Sequence, residues 1–405
     1  MFFRYLFIPS FKCNLACKYC YTTTQGARFF DESNWDAAET LKKLVSRIEE
    51  SSNPKECFLT FHGGEPTLLG VHKLEELFKI ARSSERIKGV SIQTNATLVN
   101  DELIEIFKKY NIDVGVSYDG INSSRVDKKG NPMGLVIRDK LKKLISEGVT
   151  HQFITELVPL NKIEDLAEDF ADLGAPRLAA RVPTGYNASF YEADLKKLGY
   201  NHIVEYAMDW WMNGLPILAK KNIHDKTIVS MFGSMYKERR FNMSCVHAPC
   251  RLSPLIIAVN GSGDCSPCNQ LCKYTIGNIF DDSLMEVFNS DRSNKFKYRY
   301  EKLLDVKSNS QCKNCKVWNY CFGGCIADRL NENEITNENL LINEKEDRVH
   351  SCDIIRAMYY YILYISVHNR ELFDFYYNYN QKGENYAQAN IQSKECATCN
   401  SGTAI

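Results

Sequence analysis

The chain has 405 residues and a mass of 46.5 kDa, room for two or three domains at roughly 100–200 residues each. Hydrophobic residues are 44% and charged residues 25%, which excludes a disordered chain, and the equal counts of Lys+Arg and Asp+Glu, 50 each, remove the electrostatic argument for general nucleic-acid binding. Sixteen cysteines are the outlier, yet they are too dilute here for a small disulfide scaffold.

The apolar run from Met1 to Pro9 is short, and Lys12 and Cys13 follow without a small-residue cleavage site, so no signal peptide is expected. The most apolar later stretch, 358–367, holds four tyrosines and is about half the length a membrane span needs. A cytoplasmic chain is expected, with neither membrane nor nucleic acid as partner. In that compartment thiols stay reduced, so clustered cysteines read as metal ligands.

Short β-rich runs alternate with amphipathic stretches through the first half. Strands are predicted at 5–11, 57–62, 90–94, 113–118, 152–157 and 177–182, with helices near 34–51, 73–84, 101–110, 136–147 and 163–173. Asn100 and Asn161 read as N-caps, the latter with Glu164 three residues on. Gly148 and Gly174 stand where glycines end helices, and Leu141, Leu144 and Ile145 keep the spacing of a buried face. A further helix is predicted near 192–213, where Trp210 and Trp211 read as core. Six β-α units predict an α/β fold, a partial (β/α)6 TIM-like barrel whose site lies at the C-terminal ends of the strands.

After about residue 240 cysteines crowd together, and this loop-rich region is expected to have little apolar core and to draw folding energy from bound metal. An aromatic helix is predicted at 356–367, a second near 370–377, and a disordered polar tail from Asn378 onward. The expected units are 1–225, 226–365, and a C-terminal helix with its tail over 366–405. The pair Cys396 and Cys399 falls in that tail and reads as inert.

Cys13, Cys17 and Cys20 are spaced x3 and x2 directly after the first strand. Three thiolates so close suit three irons of a [4Fe–4S] cluster and leave the fourth iron open; a closed zinc site lacks its fourth thiol nearby. This CxxxCxxC, with Tyr19 before the last cysteine, resembles the radical S-adenosylmethionine enzymes. Further elements follow in the family's order. Gly63-Gly64-Glu65-Pro66 resembles the motif that holds the methionine amine, Gln93-Thr94-Asn95 ends the third strand, and Ser117-Tyr118-Asp119-Gly120 ends the fourth, where the family places a ribose contact. The resemblance implies that S-adenosylmethionine is bound by Tyr19, Gly63, Gly64, Glu65, Asn95 and Ser117. Where the family often carries Asp-x-x-Arg after the Asp-Gly, this chain has Asp127-Lys128-Lys129, which leaves the carboxylate-binding residue unassigned. His62 reads as a strand-end histidine satisfied by hydrogen bonds, and Cys57 as a small buried hydrophobe.

Downstream, Cys312-x2-Cys315-x5-Cys321-x3-Cys325 with Cys352, preceded by Gly263-x4-Cys268, resembles the SPASM domain of enzymes that modify peptides and proteins. By that resemblance Cys245, Cys250, Cys268 and Cys325 hold an inner auxiliary cluster, and Cys312, Cys315, Cys321 and Cys352 an outer one. Cys265 and Cys272 flank Cys268 and stay unassigned, and Cys245 is the ligand whose absence would open an iron to a substrate thiolate.

The resemblance implies three [4Fe–4S] clusters, S-adenosylmethionine, a peptide substrate and a small electron donor such as a flavodoxin or ferredoxin. The expected function is an oxidoreductase that modifies a ribosomally made peptide by 5′-deoxyadenosyl-radical hydrogen abstraction and net two-electron oxidation, forming a thioether or a carbon-centred cross-link. The alternatives are a formylglycine-forming sulfatase maturase, a small-molecule radical dehydrogenase, and a non-enzymatic iron–sulfur or zinc scaffold. Sulfatase maturases typically carry an Asp directly after the Gly-x4-Cys cysteine as general base; here it is Asn269, a neutral amide, with Asp264 close in sequence.

Overall fold

Alternation of side chains along the strands sets the architecture. In β4 (Ile112–Ser117), β5 (Gln152–Glu156) and β6 (Arg177–Arg181), Val114, Val116, Phe153, Thr155, Leu178 and Ala180 are buried against helices. The intervening Gly115, Ser117, Ile154, Glu156, Ala179 and Arg181 are half-buried on the concave face, the lumen of a partial barrel. The structure is a computed structural model that describes residues 3–20, 22, 30–52, 56–183, 191–236, 256–303, 314–321 and 351–381.

Six β-α units form as the periodicity predicts. With β1 (Phe3–Ile8), β2 (Cys57–Phe61) and β3 (Ile87–Thr94), strands β1 to β6 pair in parallel in sequence order. Helices α1 (Ala37–Glu50), α2 (Val71–Ala81), α3 (Asp101–Lys109), α4 (Gly134–Ser146) and α5 (Ile163–Asp172) cover the outer face. Phe61 meets Phe78 edge-on at 5.2 Å between ring centroids, and Phe153 meets Phe170 at 5.0 Å, so aromatic contacts stitch strands to helices. Asn100 caps α3 by accepting from Leu103 N at 2.9 Å, as expected. Gly148 and Gly174 follow α4 and α5 with φ of 71° and 75°, the left-handed turn that ends a helix without a Cβ penalty.

Four expectations change. Asn161 does not cap α5: Lys162 holds that position without a side-chain bond, while the Asn161 amide donates to Asn122 O at 2.7 Å. The helix expected at 192–213 is broken after α6 (Glu192–Lys197) by Gly199, φ 89°, and resumes as α7 (Ile203–Asp209), a π turn (Trp210–Gly214) and α8 (Leu215–Lys220). Trp210 and Trp211 lie in the core, and Trp210 Nε1 donates to the buried Asp225 carboxylate at 3.1 Å.

The third change concerns the cysteine-rich half. β7 (His224–Asp225) pairs with β6, and α9 (Lys226–Tyr236) packs on β6. β8 (Ile256–Asn260) then returns to pair in parallel with β1, Tyr5 beside Ile257, and leads into antiparallel β9 (Asp264–Ser266) and β10 (Gly277–Asn278). The result is one ten-stranded sheet, and Ile257, Val259, Leu271, Ile279 and Phe288 belong to the same apolar core as the barrel. The described part of this region therefore folds on apolar burial shared with the barrel, not on metal alone. Arg47 Nε of α1 donates to Ile279 O at 2.9 Å across the junction.

The C-terminal helices form at α13 (Ser351–His368) and α14 (370–381), after α10 (Leu284–Asn289), α11 (Asp291–Leu303) and α12 (Trp318–Cys321). The tail expected to be disordered from Asn378 is helical to residue 381, and its remainder, with Cys396 and Cys399, lies outside the described residues. Among the described residues no helix is long and apolar enough to cross a membrane.

Candidate active site at the C-terminal ends of the strands

The loop carrying Cys13, Cys17 and Cys20 leaves β1 at the C-terminal end of the parallel sheet, where backbone carbonyl ends and the loops after each strand converge. The ends of three further strands hold this loop. Gly64 N donates to Ser10 O at 3.0 Å and Glu65 N to Lys12 O at 2.8 Å. A Cβ on Gly64 would fall 2.1 Å from Lys12 O, so the close backbone approach requires glycine. Glu65 is buried, and its carboxylate accepts from Thr67 N (3.0 Å), Thr67 Oγ1 (2.6 Å), Thr94 Oγ1 (2.7 Å) and Asn95 N (2.7 Å). These bonds tie the ends of β2 and β3 together inside the protein, which makes Glu65 a brace of the glycine turn.

Asn95 carries the next contact. Its amide nitrogen donates to Asn14 Oδ1 at 2.9 Å and lies 3.9 Å from Cys13 Sγ, while Asn14 donates to Thr97 Oγ1 at 2.8 Å. Ser117 stands half-buried at the end of β4, its hydroxyl held by Gln93 Nε2 at 2.8 Å.

Asp119 is the hub that links the cluster loop to the far strands. It is fully buried, and it accepts from Tyr19 OH, from Arg125 Nη2 at 3.1 Å and from Glu156 N at 2.9 Å. Arg125 Nε lies 2.9 Å from the second carboxylate oxygen, and the guanidinium stands 5.5 Å from the centroid of the Tyr19 ring. Arg125 is the buried cation nearest the place where sequence reasoning looked for one and found Asp127-Lys128-Lys129. Asp127 instead closes an exposed turn, accepting from Lys129 N and Asn131 N. The segment after β4 also bonds to the cluster loop directly, Ala16 N to Val126 O at 2.8 Å.

The donor chemistry fits a thiolate-held cluster. Three thiols share one loop; Cys17 is buried and its thiol is pushed up to about 12 by that burial, with Arg125 pulling the other way. Iron bound by this thiolate would replace that proton. Among the described residues no three metal-binding side chains converge on one point. His62 is satisfied as expected, its Nδ1 accepting from Gly63 N at 2.9 Å; burial, with Arg181 nearby, pushes it down to about 4 and keeps it neutral.

In the second region, Cys268 is half-buried beside a 3-10 turn (Asn269–Leu271), while Cys265 and Cys272 are buried. Gly263 has φ 87° and faces the Phe280 ring, so the turn before it requires glycine. The Asp264 oxygens are spent on Ser262 Oγ (2.8 Å) and Asn278 Nδ2 (2.9 Å). Cys315 precedes α12, Cys321 ends it, and Cys352 opens α13. Cys245, Cys250, Cys312 and Cys325 lie outside the described residues. Cys57 is buried at the start of β2, as expected.

Comparison with known proteins agrees with this geometry. Residues 7–136 match the Radical SAM superfamily, and residues 250–316 match SPASM, an iron–sulfur cluster-binding domain. A serine-type anaerobic sulfatase-maturating enzyme of Bacteroides thetaiotaomicron is 23% identical over 348 residues, 78% of this chain and 81% of the relative. The antilisterial bacteriocin subtilosin biosynthesis protein AlbA of Bacillus subtilis is 25% identical over 352 residues, 84% of this chain and 70% of the relative. Among solved structures, native anSMEcpe with bound AdoMet and Cp18Cys peptide superposes with a TM-score of 0.69 at 20% identity, covering 93% of this chain and 99% of that one, which shows a shared fold.

Proposed function

We propose that this chain, which is a radical S-adenosylmethionine protein with a SPASM domain, oxidises a ribosomally made peptide by two electrons and closes a thioether or carbon-centred cross-link. The observation that carries the reading is the braced three-cysteine loop at the mouth of a barrel whose sheet runs on into the cysteine-rich region. S-adenosylmethionine, bound with a four-iron cluster, supplies a one-electron route to removing a hydrogen atom from an unactivated carbon.

The protein's own residues supply position. Cys13, Cys17 and Cys20 hold the radical-generating cluster. Gly63, Gly64, Tyr19, Asn95 and Ser117 line the S-adenosylmethionine site, with Glu65 bracing the glycine turn from behind. Cys245, Cys250, Cys268 and Cys325 hold an inner auxiliary cluster, and Cys312, Cys315, Cys321 and Cys352 an outer one, three clusters in all. A small electron donor, a flavodoxin or ferredoxin, delivers the reducing electron in the cytoplasm.

Formylglycine formation on a sulfatase is the second reading, favoured by the similarity to sulfatase-maturating enzymes. Against it stand Asn269 at the position where that subfamily has a base, and an Asp264 whose oxygens are both engaged. Mass spectrometry separates the two. The enzyme, reconstituted anaerobically with iron, sulfide, S-adenosylmethionine and dithionite, is given a short cysteine-bearing peptide encoded beside its gene. Loss of two hydrogens with a thiol blocked to alkylation is the expected result. A product that has lost its sulfur and reacts with a hydrazine would establish the formylglycine reading instead.

A further inference from the structure

The lumen mouth holds two charged side chains that none of the motifs explains. Glu156 ends β5, Arg181 ends β6, and the two are direct partners in the parallel register. Side chains so paired project from the same face, and here that face is the lumen shared by Ser117 and Gln93, because the alternate residues Thr155 and Ala180 are buried on the helix side. The position of Glu156 is fixed through its backbone, whose N–H donates to Asp119, the residue that holds Tyr19 of the cluster loop and Arg125. Among the described residues, no group hydrogen-bonds or ion-pairs with the Glu156 carboxylate, and the Arg181 guanidinium likewise has no such partner. A carboxylate and a guanidinium that share the lumen face of neighbouring strand ends, unspent on each other, form a receptacle for a polar reacting group.

We propose that Glu156, beside Arg181 on the same lumen face, accepts the proton that the substrate releases in the two-electron oxidation. This rests on the radical reading above and applies to its thioether product. Once a substrate carbon has lost a hydrogen atom, a bond forms between that carbon and a heteroatom bearing hydrogen. As it forms, the heteroatom–hydrogen bond breaks and the proton passes to Glu156, and an iron–sulfur cluster held by the C-terminal cysteines would take up the one electron released. The groups facing Glu156 fit this role. Burial pushes its carboxyl up to about 7, with Arg181 from β6 pulling it down, Asp119 from the end of β4 pushing it up, and Arg125 from the following loop pulling it down. A carboxylate poised near neutrality both takes a proton and returns it to solvent. His62, across the lumen, is kept neutral beside Arg181 and adds no competing charge. With Asn269 a neutral amide and Asp264 engaged, Glu156 fills a role for which the cysteine-rich region offers no open carboxylate among these positions.

Two measurements test this. In metal-free protein carrying 13C-carboxyl glutamate, the resonance lost in Glu156→Gln is expected to titrate near pH 7 and to move higher in Arg181→Leu; titration at the ordinary glutamate value overturns the proposal. In reconstituted enzyme with the cysteine-bearing peptide, Glu156→Gln is expected to keep releasing 5′-deoxyadenosine while oxidised peptide falls about 100-fold, the scale of a lost general base. Peptide recovered from that variant in D2O then gains deuterium, and Glu156→Asp restores part of the product. Oxidised peptide and 5′-deoxyadenosine in the wild-type ratio from Glu156→Gln would overturn the role of Glu156 while leaving the radical reading intact. Absence of 5′-deoxyadenosine from the wild type would overturn both.

Discussion

At the scale of single residues, the site depends on groups that never need to touch substrate. Glu65 satisfies two buried backbone donors, Thr67 N and Asn95 N, that no water can reach. Glu65→Ala leaves both unpaired, at about 1–3 kcal/mol each, and chemical denaturation of the metal-free chain is expected to show a loss of about 2–6 kcal/mol. Arg125 and Asp119 are a buried ion pair, and Arg125→Leu strands a fully buried carboxylate. The expected cost is about 3–5 kcal/mol, with most of it recovered in the double variant that also carries Asp119→Asn; a double variant no more stable than the single one would show that the pair is not the source. Asn95 directs an amide at Cys13 Sγ, and hydrogen bonds to thiolate sulfur tune a cluster. Asn95→Ala is expected to lower the reduction potential of the reconstituted first cluster and to cost about 10–100-fold in 5′-deoxyadenosine release.

At the scale of elements, what was legible in the sequence follows from period and punctuation. The first six strands and their helices show because apolar alternation runs between C-terminal glycines and N-cap residues, as Asn100 and Gly148 illustrate. Asn161 misleads because its side chain finds Asn122 O, a partner distant in sequence that outbids the local cap. Strands β8 to β10 do not show in the cysteine spacing; their signal is the apolar run at 255–259 ending in Asn-Gly-Ser-Gly, a turn between strands. The cysteine loop and Gly63-Gly64 were legible as motifs, whereas Arg125, Glu156 and Arg181 are isolated charges whose meaning appears only when strand ends bring them together. The same scale governs the C-terminal helix. His224 of β7 is stacked on Phe375 at 4.2 Å and on Tyr379 at 3.8 Å, and burial, with Arg177 nearby, pushes it down to about 4. Its folded value lies below the unfolded one near 6.5, so the unfolded chain binds the extra proton in between. The neutral ring's contribution is full above about pH 6.5 and is lost as the pH falls toward 4. Urea unfolding at pH 7 and pH 4.5 is expected to differ less in His224→Phe than in the wild type; an unchanged difference would place the acid sensitivity elsewhere.

At the scale of the whole molecule, one sheet carries both cysteine regions. Strand β8 pairs with β1, the strand that launches the first cysteine loop, and leads within a few residues to Cys268. That continuity makes the relative placement of the two regions a property of backbone hydrogen bonds and of a shared apolar core. In the proposed function, a substrate residue at the barrel mouth would lie between a group that removes a hydrogen atom and one that takes an electron, with Glu156 at hand for the proton. The most direct test of this account is release of 5′-deoxyadenosine by the anaerobically reconstituted chain with S-adenosylmethionine and dithionite, beside the variant in which Cys13, Cys17 and Cys20 are all alanine. The account predicts steady release from the wild type and none above background from the variant, although the variant still binds iron through its C-terminal cysteines. Equal release from both, or none from a wild type that has taken up its full iron, would contradict it.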